Sequence, residues 1–251
     1  MAFPIEFFLL AVPAILIAGI GKSGFTSGGG VIALVLMSLW VSPQVAAGIM
    51  LPLLVMMDVL NLWHYRKDWR WHWIVRFLPA ASVGILLGWF LFAYISADGM
   101  RVAVGLLAFF FVARYLLENL RRAPTEPLGK IGAQIMGFLS GLGSFIAHAG
   151  GPPADAYLLS QRIGKTEFVG TSIYLFFVIN GLKLIPYAML GLFSAANLGT
   201  SLALAPVVPI GVFLGHYLHK RVSQQLFERI AYFLLGLTGA KLLYDGIAGL
   251  L

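Results

Sequence analysis

Long apolar runs dominate the chain and limit what it can fold into. Six of them are long enough to cross a lipid bilayer, at about 44–64, 73–95, 99–120, 168–190, 197–218 and 224–250. A transmembrane helix needs about 20 mainly apolar residues. Only 11% of the 251 residues are charged, whereas a soluble domain carries about 25%. The sequence therefore predicts an all-α polytopic membrane protein with roughly eight to ten crossings.

Composition narrows the class further. Cysteine is absent, which excludes disulfides, thiolate metal sites and cysteine nucleophiles. A formal net charge of +7 would suggest nucleic acid for a soluble protein, but basic cytoplasmic loops and anionic lipid headgroups explain it in a membrane protein. The basic, aromatic stretch 63–73 is typical of a membrane interface, so we expect no nucleic-acid partner. With the loops rich in Lys and Arg in the cytoplasm, both termini are predicted to lie outside, provided that each broken pair of helices enters and leaves the membrane on the same side.

Two glycine-rich stretches interrupt the apolar pattern, at 19–30 and 140–153. Each precedes an apolar piece that is too short to cross the bilayer, at 31–42 and 153–160. We therefore expect two glycine-broken helical hairpins. Unpaired backbone is tolerated at membrane depth only where it is buried in protein or lines a wet cavity. The two breaks are thus predicted to face each other near the middle of the membrane.

The chain matches itself weakly when it is shifted by 121 to 127 residues. The matched landmarks keep their order: Gly48 with Gly170, Asp58 with Asn180, Tyr65 with Tyr187, Pro79 with Pro206, Gly84 with Gly211, Gly88 with Gly215, Ser96 with Ser223, and Arg114 with Lys241. The match predicts a first membrane repeat over 1–122, a cytoplasmic linker over 123–130 and a second membrane repeat over 131–251. One hairpin plus three transmembrane helices gives each repeat an odd number of crossings, so the repeats are predicted to be inverted. Inverted repeats with broken helices at matching positions are typical of secondary transporters.

The first break carries the groups of an anion site. Backbone N–H groups, the positive end of the restarting helix, and hydroxyl and ammonium donors would together hold an anion. The candidate ligands are Lys22, Ser23, Thr26, Ser27, Gly28 and Gly29. The alternative is close helix packing through small residues, with Lys22 reaching to the interface. A nucleotide is not indicated, because the acidic residue and the further glycine that the dinucleotide and phosphate-loop motifs need are missing.

The second break combines glycine, histidine and proline. Pro152 and Pro153 suit the first turn of a helix, whose N-terminus would face His148, Gly150 and Gly151. His148 is a candidate for donating to an anion or for carrying a coupled proton. The alternative is a structural histidine that is fixed in one tautomer.

Polar residues also lie inside two of the long apolar runs. Asp58 has Asn61 one turn later on the same face, and its repeat mate Asn180 has Lys183 in the same relation. A carboxylate at membrane depth indicates an ion-pair partner or a proton site. The sequence leaves open whether Asp58 pairs with Lys183, pairs with Lys22, or carries a coupled proton.

The chain resembles the sulfite exporter TauE/SafE family, also called the toluene sulfonate uptake permease family. The similar features are Gly19-x-Gly21 through Gly28-Gly29-Gly30, the echo from Gly137 to Gly141 and on to Gly150-Gly151-Pro152, and Gly170-Thr171-Ser172 with Asn180 downstream. The resemblance covers nearly the whole chain. It implies transport of sulfur-containing anions, such as sulfite, thiosulfate, sulfoacetate or other organosulfonates, across a bacterial inner membrane.

The residues and the resemblance together lead us to expect a secondary transporter for a small sulfur-containing anion, working by alternating access without a cofactor or a metal. Its partners would be the anion, membrane lipids, and a coupling proton or sodium ion. The second half would contribute His148, Gly150, Gly151, Thr171, Ser172, Asn180 and Lys183 to the site. Asp58 or His148 would carry the coupled proton. The alternatives are a membrane-embedded enzyme acting on a lipid or phosphate, a cation-coupled carrier or channel, and an assembly partner in a larger complex.

Overall fold

The computed structural model describes residues 3–25, 29–118, 127–218 and 221–251. The protein is all-helical, with 84% of it in helices and no strand among the described residues. The helices are α1 (Ile5–Gly24), α2 (Gly29–Met37), α3 (Pro43–His64), α4 (Trp71–Tyr94), α5 (Ala97–Glu118), α6 (Lys130–Ala147), α7 (Gly151–Ser160), α8 (Lys165–Met189), α9 (Ala195–Leu204), α10 (Val207–Leu218) and α11 (Gln224–Leu250). The prediction of an all-α polytopic membrane protein is confirmed.

Seven of the described helices are long and apolar enough to cross a membrane, and an eighth crossing is made if α9 and α10 count as one bent span. The run 197–218, which the sequence predicts as one crossing, is bent by 45° between these two helices. Pro206 lies at the bend and has no N–H with which to continue the backbone hydrogen bonds of α9. The short helices α2 and α7 have 9 and 10 residues, so neither crosses a bilayer alone.

The two helix breaks are shorter than the glycine patterns predict. The first helix stays regular to Gly24, and α6 stays regular to Ala147. The expectation that the glycines from Gly19 onwards unwind the backbone is therefore wrong up to Gly24. A side chain on Gly24 would overlap the backbone of Gly215 in α10, so these glycines serve the close helix packing that the sequence offered as the alternative.

Helices of the two predicted repeats pack in reciprocal pairs. The first helix of each predicted repeat packs on a later helix of the other, α1 on α10 and α6 on α4. The matching helices α3 and α8 pack together, as do α5 and α11. Two matched serines also have the same role, because Ser96 accepts a hydrogen bond from a backbone N–H at the start of α5 (3.1 Å) and Ser223 does so at the start of α11 (3.3 Å).

Every residue of α2 is buried, which places the segment after the first break in the protein interior rather than against lipid. The second break comes close to it, since a side chain on Gly30 would lie 3.0 Å from the carbonyl oxygen of His148. The two breaks are therefore neighbours inside the bundle, as the sequence predicts.

Candidate functional site

Asp58 is the centre of the polar groups between the breaks. It lies on α3 and is fully buried. One carboxylate oxygen is 2.7 Å from Nζ of Lys22 on α1, and the other accepts a hydrogen bond of 2.7 Å from the side-chain amide of Asn180 on α8. The structure therefore assigns the ion pair of Asp58 to Lys22 rather than to Lys183. Its contact with Asn180 joins two residues that the repeat alignment matches.

Asn61 fastens α3 to α1 one turn beyond Asp58. Its amide nitrogen donates to Oγ of Ser23 (2.9 Å) and to the carbonyl oxygen of Met57 (2.9 Å). Ser23 is itself buried, so its hydroxyl holds the end of α1 in place. The side-chain oxygen of Asn61 is buried and has no hydrogen-bond partner among the described residues.

Lys183 is a second buried cation, and its side chain is fully enclosed. Its Nζ donates to the carbonyl oxygen of Ser144 (2.9 Å) and to Oγ of Ser144 (3.1 Å), and it lies 2.9 Å from Nδ1 of His148. Within the described part of the chain, no carboxylate lies at ion-pair distance from it. All three contacts of this ammonium group are thus to uncharged atoms.

His148 turns the chain between α6 and α7. Its backbone is in the left-handed region (φ 51°), which histidine adopts more readily than most residues. Ring atom Nε2 lies 3.1 Å from the carbonyl oxygen of Ala47, which can only accept, so the hydrogen belongs on Nε2. Nδ1 is then free of hydrogen and accepts from Lys183. These contacts assign a neutral imidazole in a single tautomer.

The formal charge between the two breaks does not balance. With both lysines protonated and Asp58 ionised, Lys22 and Lys183 contribute two positive charges and Asp58 one negative charge, while the neutral ring of His148 contributes none. The sum is +1 in a region where Asp58 and Lys183 are fully buried and the side chain of Lys22 is 12% exposed. An unbalanced charge out of contact with water is costly, by several kcal/mol.

A small cavity opens directly onto these groups. It measures about 20 Å³ and is lined by Lys22, Gly30, Leu54, Ser144, His148, Phe176 and Asn180. A second cavity of about 20 Å³ is lined by Lys22, Phe25, Phe168, Val169, Ser172, Ile173 and Phe176. The two cavities share Lys22 and Phe176, whose ring centre is 5.7 Å from the ammonium nitrogen. These two side chains therefore stand between the inner cavity and the outer one.

The structure brings together some of the predicted binding residues and not others. Lys22, His148 and Asn180 line the inner cavity, and Ser172 lines the outer one. Asp58 and Lys183 stand one contact behind the wall of the inner cavity. Ser23 is farther from it, because its hydroxyl contacts Asn61, which lines neither cavity. Three further predicted ligands of the anion lie outside the described residues, namely Thr26, Ser27 and Gly28.

Four predicted residues have structural contacts instead. The hydroxyl of Thr171 accepts a hydrogen bond of 3.0 Å from the backbone N–H of Arg70. The carbonyl oxygen of Gly150 accepts one of 2.7 Å from Ser140. Gly29 packs against the backbone of Ala18, and Gly151 is a buried first residue of α7. None of the four lines either cavity described above.

Four residues of the inner cavity are absent from the predicted set, namely Gly30, Leu54, Ser144 and Phe176. The repeat alignment contains a signal for one of them. Asp58 and Asn180 are 122 residues apart, and the same interval leads from Lys22 to Ser144. Leu54 and Phe176 are apolar residues in apolar helices and carry no such signal.

Two loops close the ends of α3 and α8 in matching ways. A side chain on Gly170 of α8 would overlap the carbonyl oxygen of Asp68, in the loop after α3. A side chain on Gly48 of α3 would lie 2.6 Å from the carbonyl oxygen of Leu192, in the loop after α8. Trp69 also stacks on Tyr174 near the first loop, with ring centres 4.3 Å apart. The loop after α3 can approach α8 closely only because residue 170 is glycine, and the loop after α8 can approach α3 closely only because residue 48 is glycine.

Both loops have further polar contacts. On the side of the first loop, Arg70 pairs with Glu167 of α8. Beside the second loop, the side-chain amide of Asn197 donates to the carbonyl oxygen of Leu192 (2.8 Å), and Ser201 donates to that of Ile49 (2.8 Å). The pair of helices α3 and α8 is therefore held by loop contacts at both of its ends.

A polytopic helical bundle with two broken helices and a cationic cavity between them has the features of a membrane transport protein. The chain belongs to the sulfite exporter TauE/SafE family, because the model of that family matches residues 11–242. The resemblance seen in the sequence is thereby confirmed. Membership implies a membrane transporter of sulfur-containing anions. No match was found when the chain was compared with curated proteins, nor when it was compared with solved structures.

Proposed function

We propose that the chain is a secondary transporter that moves a small sulfur-containing anion across the bacterial inner membrane by alternating access. The unbalanced buried lysine is the observation that carries this proposal. Lys22 is neutralised by Asp58, whereas Lys183 contacts only uncharged atoms. A bound anion would supply the missing negative charge.

The wall of the inner cavity offers donors to such an anion. The ammonium group of Lys22, the hydroxyl of Ser144 and the amide of Asn180 all line it. Lys183 stands behind Ser144 and His148, from where its charge acts through two polar groups. A sulfonate or sulfite oxygen is a good acceptor for charge-assisted hydrogen bonds of this kind.

Asp58 is the better of the two candidates for proton coupling. Both nitrogens of His148 are already engaged with Ala47 and Lys183, which holds the ring neutral. A proton on Asp58 would break its ion pair with Lys22, so protonation of Asp58 would change the charge that faces the anion. A carrier of a metal cation is disfavoured, since both oxygens of Asp58 are occupied by Lys22 and Asn180.

Alternating access requires a closure on each side of the site. The loop around Asp68 on Gly170 and the loop around Leu192 on Gly48 would be the two closures. The reciprocal pairing of α1 with α10 and of α6 with α4 supports two inverted halves that rock against each other. A rotation of Phe176, which lies between the two cavities, would join them during opening.

Counterflow in proteoliposomes tests the proposal. Vesicles that contain the wild-type protein and are loaded with sulfite, thiosulfate or sulfoacetate should exchange at least one of these radiolabelled anions. Lys22→Ala and His148→Ala should abolish the exchange while each variant stays folded in the membrane. Lys241→Ala is the matched control, because Lys241 pairs with Asp245 on the exposed surface. Full exchange by both site variants would remove the proposed site.

A further inference from the structure

We infer that the site selects its substrate by charge, and that it accepts an anion with a single negative charge in preference to one with two. This inference rests on the proposed function and specifies the substrate of the same site. It follows from the +1 sum of Lys22, Lys183 and Asp58, which one negative charge neutralises. A second negative charge would leave a buried surplus of the opposite sign.

Burial of the charged groups makes one unit of unbalanced charge energetically important. Asp58 and Lys183 are fully buried, and His148 is neutral by its contacts. Lys22 is a charged residue on the wall of the inner cavity, and its charge is already included in the sum of +1. Charges separated by several ångströms at an effective dielectric of about 20 interact by a few kcal/mol, which is far more than in water. One unit of charge therefore separates ligands by about tenfold or more in affinity.

The apolar part of the wall favours the same class of ligand. Leu54 and Phe176 line the inner cavity beside the donors. The inner cavity of about 20 Å³ has room for about one water molecule, so it must widen to admit a sulfonate. In the widened site, the oxygens of the sulfonate would face Lys22, Ser144 and Asn180 and its organic group would face Leu54 and Phe176. A sulfate ion of the same shape presents a charged oxygen there instead, which would lose its water without gaining a donor.

Methanesulfonate and sulfate are the matched probes for this inference. Both are small and tetrahedral, and they differ in one charge and in a methyl group that replaces an oxygen. Equilibrium binding of the radiolabelled ions to the purified wild-type protein, at constant ionic strength, should show methanesulfonate bound about tenfold more tightly or better. Direct binding is preferable to thermal shift, because sulfate stabilises folded proteins without binding to them.

Two variants separate the effect of charge from that of shape. Asp58→Asn keeps the size of the side chain and raises the formal charge of the site to +2, so the affinity ratio should shift towards sulfate by about tenfold or more. Asp58→Asn combined with Lys183→Met returns the sum to +1, and the preference for methanesulfonate should return with it. The ratio of two affinities is unaffected by any partial loss of active protein.

The outcomes distinguish this inference from the proposed function. Sulfate bound by the wild type as tightly as methanesulfonate, or an unchanged ratio in Asp58→Asn, overturns the charge selection while transport of sulfur-containing anions still stands. Absence of binding of both probes together with sulfite and thiosulfate overturns both. If the variants fail to fold, perchlorate and sulfate, which both have four oxygens in a tetrahedron and differ in charge, decide the question in the wild type: sulfate bound as tightly as perchlorate overturns the charge selection.

Discussion

The two halves of the molecule carry different charges at matching positions. The interval of 122 residues that joins Asp58 to Asn180 also joins Lys22 to Ser144 and Asn61 to Lys183. In the first half, the cation on α1 faces a carboxylate on α3. In the second half, the cation is on α8 and faces a serine and a histidine.

The contacts between the helices are nevertheless alike. Asn61 reaches from α3 to Ser23 on α1, and Lys183 reaches from α8 to Ser144 on α6. The difference between the halves is therefore one of charge rather than of backbone path. In the proposed function, the balanced pair of Lys22 and Asp58 and the unpaired Lys183 would together form a site that one anion completes.

The largest expected effect concerns the balanced pair. Asp58→Ala leaves the ammonium group of Lys22 without its carboxylate and should lower the free energy of unfolding by about 3 to 5 kcal/mol, since breaking a buried pair from one side is strongly destabilising. The double variant with Lys22→Met removes both charges and should be less destabilised than Asp58→Ala alone. Unfolding of the three proteins in the same detergent measures this. A double variant that is destabilised as much as Asp58→Ala, or more, would contradict this expectation.

The next effect concerns the unpaired cation. Lys183→Met should lower the affinity for methanesulfonate by about tenfold to a hundredfold, because it removes a buried positive charge that acts on the anion from behind Ser144 and His148. Isothermal titration of the purified protein provides the measurement. Lys241→Met serves as the control, because that lysine occupies an exposed position with its own carboxylate. An unchanged affinity in Lys183→Met would mean that the second half contributes no charge to the site.

Much of this arrangement could be predicted from the sequence. The six long apolar runs predict the main helices to within a few residues, because membrane thickness sets their length. The positions of Asp58, Asn180 and Lys183 were recognisable because polar residues are rare in such runs. The two breaks were predicted at the right places and too long, since glycine permits both an unwound backbone and close helix packing.

The partners of the polar residues were not predictable in the same way. The sequence leaves open whether Asp58 pairs with Lys22 or with Lys183, because either lysine would neutralise the carboxylate. Only the packing of α1 on α3 decides between the two partners. The sequence does not predict Phe176 and Leu54 as cavity residues, because an apolar residue on a cavity wall cannot be distinguished by sequence from one that faces lipid. Thr171 was expected at the anion, whereas the approach of Arg70 gives its hydroxyl a backbone partner.

A smaller effect compares the two loop closures. Gly170→Ala should weaken the packing of the loop around Asp68, and Gly48→Ala should weaken that of the loop around Leu192. Each should lower the free energy of unfolding by about 1 to 3 kcal/mol through overpacking. A cysteine introduced at Ser172 reports on the outer cavity, and the chain has no other cysteine. Thiol labelling should increase with Gly170→Ala and stay unchanged or fall with Gly48→Ala. An equal increase with both would contradict closures on opposite sides.

The smallest effect tests whether the last helices of the halves are equivalent. Ser96→Ala and Ser223→Ala each remove a hydrogen bond to a backbone N–H at a helix start, and each should destabilise by about 1 kcal/mol. Thermal unfolding in one detergent compares them. Losses that differ severalfold would show that the matched serines do not have the same role.

The most direct test of an anion site beside the unpaired lysine is crystallographic. Crystals of the protein soaked in hydrogen selenite, the selenium analogue of hydrogen sulfite, would be measured at the selenium absorption edge. The account predicts an anomalous peak in the inner cavity, within hydrogen-bond distance of Lys22 and close to Ser144 and Asn180. A cavity without selenium in crystals that hold the ion only at the exposed basic loops, such as that of Arg66 and Arg70, would contradict it.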